Sequence, residues 1–141
     1  MICYAVIDTN VLVSAMLSSK DDSATVQVVS RMLRGEIIPI YSSIITKEYR
    51  EVLSRRKFGF AGELVDYLLA SVEKYGILVA PSSSGIVLPD MKDVPFYEVV
   101  LEKRADSAYL VTGNIKHFPR EPFVVTPREL LNILDQKHPA K

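Results

Sequence analysis

A chain of 141 residues, 48% hydrophobic and 24% charged, is sized and composed for one globular domain, which excludes a disordered chain. Its formal net charge is zero, so bulk charge is excluded as a way to bind nucleic acid and any such contact needs a local basic patch. The single cysteine, Cys3, excludes an intrachain disulfide and fits a reducing cytoplasm, while the absence of a basic leader or of about 18 consecutive apolar residues argues against a signal peptide or a membrane span.

Short apolar runs alternate with amphipathic stretches, the pattern of a parallel α/β sheet. In chain order, Cys3 to Ile7 reads as the first strand and Asn10 to Leu17 as the first helix. Ser23 to Arg34 is the second helix, with Gly35 as its stop. Ile37 to Tyr41 is a strand, and Ile44 to Arg56 a helix with Ser42 or Ser43 as cap. Gly62 to Tyr75 forms a helix ending at Gly76, followed by a strand from Ile77 to Ala80. Val94 to Arg104 begins after Asp93 and carries Pro95 in its first turn, where proline is tolerated. Tyr109 to Thr112 and Phe123 to Thr126 are the last strands. Thr126 then caps a helix from Pro127 to Asp135. The domain is expected over residues 1–136, with a flexible C-terminal tail at 137–141.

In open parallel sheets, ligands bind outside the carboxyl ends of the strands. Asp8 follows the first strand directly. Alone, it reads equally well as the N-cap of the next helix, a role open to Asn10 too. On the helix after the second strand, Ile45, Tyr49, Val52 and Leu53 form the core stripe. Glu48 falls roughly 85° from its centre and Glu51 roughly 145°, so Glu48 lies at the stripe's border, from where a carboxylate can reach a cleft, and Glu51 faces solvent. The plain alternative for Glu48 is a surface ion pair with Lys47, Arg50 or Arg55. Asp93 precedes its helix as a cap or a site residue, and Asp90 sits in a loop as a solvated turn residue or a ligand. Thr112-Gly113-Asn114 ends a strand with a hydroxyl, a glycine and an amide.

Together, Asp8, Asp93 and Asn114 fall on one edge of the expected sheet, and Glu48 leans over it. Clustered carboxylates persist chiefly where a cation neutralises them. Oxygen-only ligands select hard ions, Mg²⁺ or Mn²⁺. Such ions assist phosphodiester hydrolysis without a nucleophilic side chain. His117 and His138 lack metal-ligand spacing, and there is no phosphate loop or dinucleotide fingerprint.

Four segments resemble the PIN-domain family, in its VapC-like branch of toxin components from prokaryotic toxin–antitoxin pairs. They are Val6-Ile7-Asp8-Thr9-Asn10-Val11-Leu12, Thr46-Lys47-Glu48-Tyr49-Arg50-Glu51-Val52-Leu53, Asp90-Met91-Lys92-Asp93-Val94-Pro95-Phe96 and Ala105 to Asn114, running on to Lys116-His117-Phe118. The resemblance implies a three-layer α/β/α fold with a central parallel sheet of four to five strands. It implies a cytoplasmic endoribonuclease that cleaves single-stranded RNA with Mg²⁺ or Mn²⁺, silenced by a small antitoxin protein and able to form a homodimer. Matching the motifs gives Asp8, Glu48 and Asp93 as the acids. Asn114 stands where many members have a fourth acid, and Asp90 is a candidate to compensate. Thr9 and Asn10 are expected to orient Asp8, with Thr112 assisting. Lys47, Arg50, Lys116 and His117 are the candidate RNA contacts. Two other readings stay open: a PIN-like module that binds RNA or protein without cutting, motivated by Asn114, and an aspartyl-phosphate-forming phosphatase, against which Asn10 stands where an aspartate is wanted.

Overall fold

The computed structural model describes residues 2–137. Five parallel strands form one sheet: β1 (Cys3–Ile7), β2 (Ile37–Tyr41), β3 (Ile77–Leu78), β4 (Tyr109–Val111) and β5 (Val124–Val125). Their spatial order is β3-β2-β1-β4-β5. Six helices flank the sheet in an α/β/α arrangement: α1 (Thr9–Leu17), α2 (Ala24–Leu33), α3 (Ser43–Leu53), α4 (Gly62–Tyr75), α5 (Val94–Glu102) and α6 (Pro127–Lys137). Among the described residues, no helix is long and apolar enough to cross a membrane. The tail expected at 137–141 lies outside the described residues except for Lys137, which ends α6.

The strands are apolar throughout because both faces of the sheet are covered. Ala5, Val6, Ile37, Ile40, Leu110 and Val111 have no exposed surface at all. The helix α5 lies across β1, β2 and β4, and places Phe96, Tyr97, Val99 and Val100 on the core side at helical spacing. On the other helices, α2 packs on β2 and contacts both α1 and α6.

Local chemistry sets the boundaries. Ser23 and Ser42 accept from the backbone amides of Val26 and Ile45, capping α2 and α3. Thr126 and Glu129 form a reciprocal capping box at the start of α6, with N–H to side-chain distances of 2.9 and 3.1 Å. That box takes Thr126 out of the sheet, so β5 stops at Val125 rather than at Thr126. Likewise β3 ends at Leu78, two residues before the expected Ala80.

The largest departure is at α3. A helix to Arg56 is expected, but it ends at Leu53 with Ser54 as C-cap. The amides of Phe58 and Gly59 then turn back onto the carbonyls of Arg55 and Arg56. Gly59 has φ +66°, a backbone conformation that favours glycine. Its reversal brings Phe58 and Phe60 together, with centroids 5.4 Å apart and planes 10° from parallel. Helical periodicity runs on past Leu53, but the helix is capped at Ser54, whose amide bonds the Arg50 and Val52 carbonyls.

Candidate active site

The strand order reverses at β1, whose neighbours are β2 on one side and β4 on the other. Such a reversal leaves a crevice at the carboxyl ends of the central strands. Ile7 pairs with Val111, so the next residues, Asp8 and Thr112, stand side by side at its mouth.

Asp8 occupies the N-cap position of α1 in extended conformation, yet its side chain makes no cap hydrogen bond. The Thr112 hydroxyl donates to Asp8 Oδ2 at 2.8 Å, and Asn10 Nδ2 donates to the same atom at 3.2 Å. The Asp8 carboxylate is thus held by Thr112 and Asn10 at the mouth of the crevice and makes no cap bond to α1. Thr112 in turn accepts from the Asn114 amide at 2.9 Å, and Asn10 Oδ1 accepts from the Gly113 amide at 3.1 Å. The turn after β4 is thereby laced to the start of α1.

Glu48 comes from α3 and is half-buried. Thr9 donates its hydroxyl to Glu48 Oε2. The neighbouring Tyr49 fixes the helix that carries it: the Tyr49 hydroxyl donates to the Ile7 carbonyl, and its ring packs 6.2 Å from Phe96. Glu51 is exposed and pairs with Arg55 at 3.5 Å, on the solvent side as its helical position requires.

Asp93 ends a short 3-10 turn and precedes α5. It too makes no cap hydrogen bond. Its Oδ2 is buried with no hydrogen bond of good geometry, and His117 Nδ1 lies 3.4 Å from it, an ion pair when the imidazole is protonated. The adjacent Phe118 is buried and stacks on Tyr97 of α5, which fixes His117 beside Asp93. No motif signalled this pairing, because the two residues lie on separate loops; the buried Phe118 is its only trace in the sequence.

Burial and mutual repulsion raise the proton affinity of all three acids. Asp8 is 5% exposed. Desolvation lifts its pKa from the ordinary 3.8 to about 6, opposed by the Thr112 hydrogen bond and reinforced by the charges of Asp93 and Glu48. Desolvation also raises Glu48, with Asp93 and Asp90 adding to the rise and Lys92 opposing it. Asp93 is raised by desolvation and by Asp90, and lowered by His117.

The remaining candidates differ in engagement. Asp90 is exposed, and its Oδ1 accepts from the Lys92 amide at 2.9 Å, so it caps the 3-10 turn and acts on the acids through its charge. Asn114 stands at the carboxyl end of β4 with an exposed side chain that makes no cap hydrogen bond. Of the basic candidates, Lys47 and Lys116 are exposed, and Arg50 is held by Asp66 at 2.9 Å.

Among the described residues, no three His, Cys, Asp or Glu side chains are grouped as a ready metal cage. Three carboxylates repel one another, and a cation is what would draw them in. The donor set suits a hard divalent ion: the donors are oxygens, and one buried carboxylate oxygen has no hydrogen bond of good geometry.

A family model described as PIN domain matches residues 4–116. No match was found among curated proteins or among solved structures.

Proposed function

Because the chain belongs to the PIN-domain family, whose members are generally nucleases, we propose that it is a divalent-metal-dependent endoribonuclease that cleaves single-stranded RNA and serves as the toxin of a type II toxin–antitoxin pair. The supporting observation is the diversion of two acids from capping. Asp8 and Asp93 both sit at helix N-cap positions, and neither side chain makes the capping hydrogen bond such a carboxylate ordinarily makes. Both remain beside Glu48, at a cost in desolvation that folding alone does not reward.

Asp8, Glu48 and Asp93 would hold Mg²⁺ or Mn²⁺, with Asn114 or Asp90 completing the set. Such an ion supplies Lewis acidity toward a phosphodiester. The chain's own residues prepare that chemistry. Thr112 and Asn10 hold one oxygen of Asp8, while Thr9 holds one oxygen of Glu48. His117 steadies Asp93 from the solvent side. An amide at Asn114 adds no charge, which favours one firmly held ion over two. Lys47, Arg50, Lys116 and His117 would meet phosphates. A small antitoxin protein in the cytoplasm and a second copy of the chain are the proposed protein partners.

The test is cleavage of single-stranded RNA after chelation and add-back of Mg²⁺ or Mn²⁺, run beside Asp8→Asn. Cleavage that returns with metal and is lost in the variant is the expected result. Undiminished cleavage by the variant would remove Asp8 from the mechanism. Absence of any divalent binding in calorimetry would favour the non-cutting module instead.

A further inference from the structure

A groove of about 590 Å³ opens beside the acids along one face of α1, from Thr9 and Asn10 to Ser18. Thr9 and Asn10 are the residues that hold Glu48 and Asp8, so the groove is continuous with the crevice. Val52 of α3 and Phe58 line it as well. Phe58 is half-exposed and is backed by the stacked ring of Phe60, which packs against the core. Stacked on Phe60 past the turn at Gly59, Phe58 presents part of its ring to the groove.

Charge distinguishes this groove from an ordinary apolar one. Arg55, Arg56 and Lys57 are consecutive and exposed immediately before Phe58. The Lys57 ammonium lies 5.1 Å from the Phe58 ring centroid. An aromatic platform flanked by exposed cations matches the two faces of a nucleotide, a flat base and a charged phosphate. It demands an unpaired strand, since bases inside a duplex cannot splay onto a ring.

We propose that this groove is a single-strand nucleic-acid subsite, in which Phe58 stacks on one base while Arg56 and Lys57 engage the adjoining phosphates. It rests on the ribonuclease reading and adds where the strand lies. One arm leaves the acids along α1 toward the turn after α3, and recognition there is tolerant of base identity because every base has a π face.

The test is binding of a short fluorescein-labelled single-stranded RNA to the Asp8→Asn chain with Mg²⁺ present, followed by polarisation. Phe58→Ala and Phe58→Leu are each expected to weaken binding about tenfold, while Phe58→Trp stays within about threefold of the parent. In the cleavage-competent chain with native Asp8, Phe58→Ala should raise KM by a similar factor. Thermal melts check that each variant is folded, and Phe58→Leu keeps the apolar packing without the π face. Unchanged binding by folded Phe58→Ala and Phe58→Leu overturns the subsite, leaving the groove to a protein partner and the nuclease reading intact. Equal affinity for the duplex of the same sequence also overturns it. If the parent neither binds nor cleaves the RNA, the ribonuclease reading falls and the subsite falls with it.

Discussion

The Tyr49 hydroxyl donates to the Ile7 carbonyl, so the helix that carries Glu48 is pinned to the strand one residue short of Asp8. Tyr49 is 2% exposed, and burial beside Asp8 and Glu48 raises its pKa well above the ordinary phenol, keeping it a neutral donor. Tyr49→Phe keeps the ring against Phe96 and deletes only the donor. It is expected to lower stability by about 1 to 2 kcal/mol, read as a lower urea midpoint at unchanged slope. Metal-dependent cleavage should fall further than stability does, because Glu48 loses its reference to β1.

Asp8→Asn should stabilise the chelated protein while abolishing cleavage. The folded pKa of about 6 lies above the ordinary 3.8. Between those values the folded state binds more protons than the unfolded state, so stability falls as pH rises through the window. Above about pH 6 the ionised carboxylate costs about 3 kcal/mol in the absence of metal. Asparagine removes that cost. Melts in chelator should show a higher Tm for the variant at neutral pH and a flatter pH dependence between about 4 and 6. Added Mg²⁺ should then raise the Tm of the native chain and leave the variant unmoved.

His117→Ala is expected to weaken divalent binding more at a mildly acidic pH than at a mildly alkaline one. His117 lowers the proton affinity of Asp93, which burial and Asp90 raise. Without the imidazole, protons compete with the ion over a wider acidic range. Calorimetric Mn²⁺ titrations at the two pH values measure the gap. Equal weakening at both would mean that His117 acts on the ion by some other route.

Gly76→Ala should destabilise the fold by about 3 kcal/mol or more without touching the acids. A Cβ at Gly76 would lie 2.4 Å from the Val72 carbonyl oxygen and 2.6 Å from that of Pro39. Both are backbone atoms, one in α4 and one in β2, and neither yields cheaply. A large drop in Tm is expected, with the surviving folded fraction still binding Mn²⁺.

Much of this arrangement is legible in the chain. Cys3–Ile7 and Ile37–Tyr41 read as strands to the residue, because a run apolar on both faces and bounded by polar residues admits little else. The helical angle of Glu48 separates it from Glu51 without any structure. What the sequence leaves open depends on partners distant along the chain. Thr9 meets Glu48 across 39 residues, and Thr112 meets Asp8 across 104. Only those bonds decide between a capping carboxylate and one held in the crevice. The groove under Phe58 was hidden for another reason: helical periodicity carries past Leu53, while the chain leaves the helix at Ser54 and reverses at Gly59.

The reversal of strand order at β1 also dictates when the site can come into being. The central strand is synthesised first, and one of its two neighbours, β4, is the second strand from the end. Until Tyr109–Val111 has left the ribosome, Asp8 has no Thr112 to hold it and no wall opposite β2. Domains commonly fold as units during synthesis. A chain halted short of β4 would carry Asp8, Glu48 and Asp93 without the crevice that gathers them, since the crevice closes only when translation is nearly done.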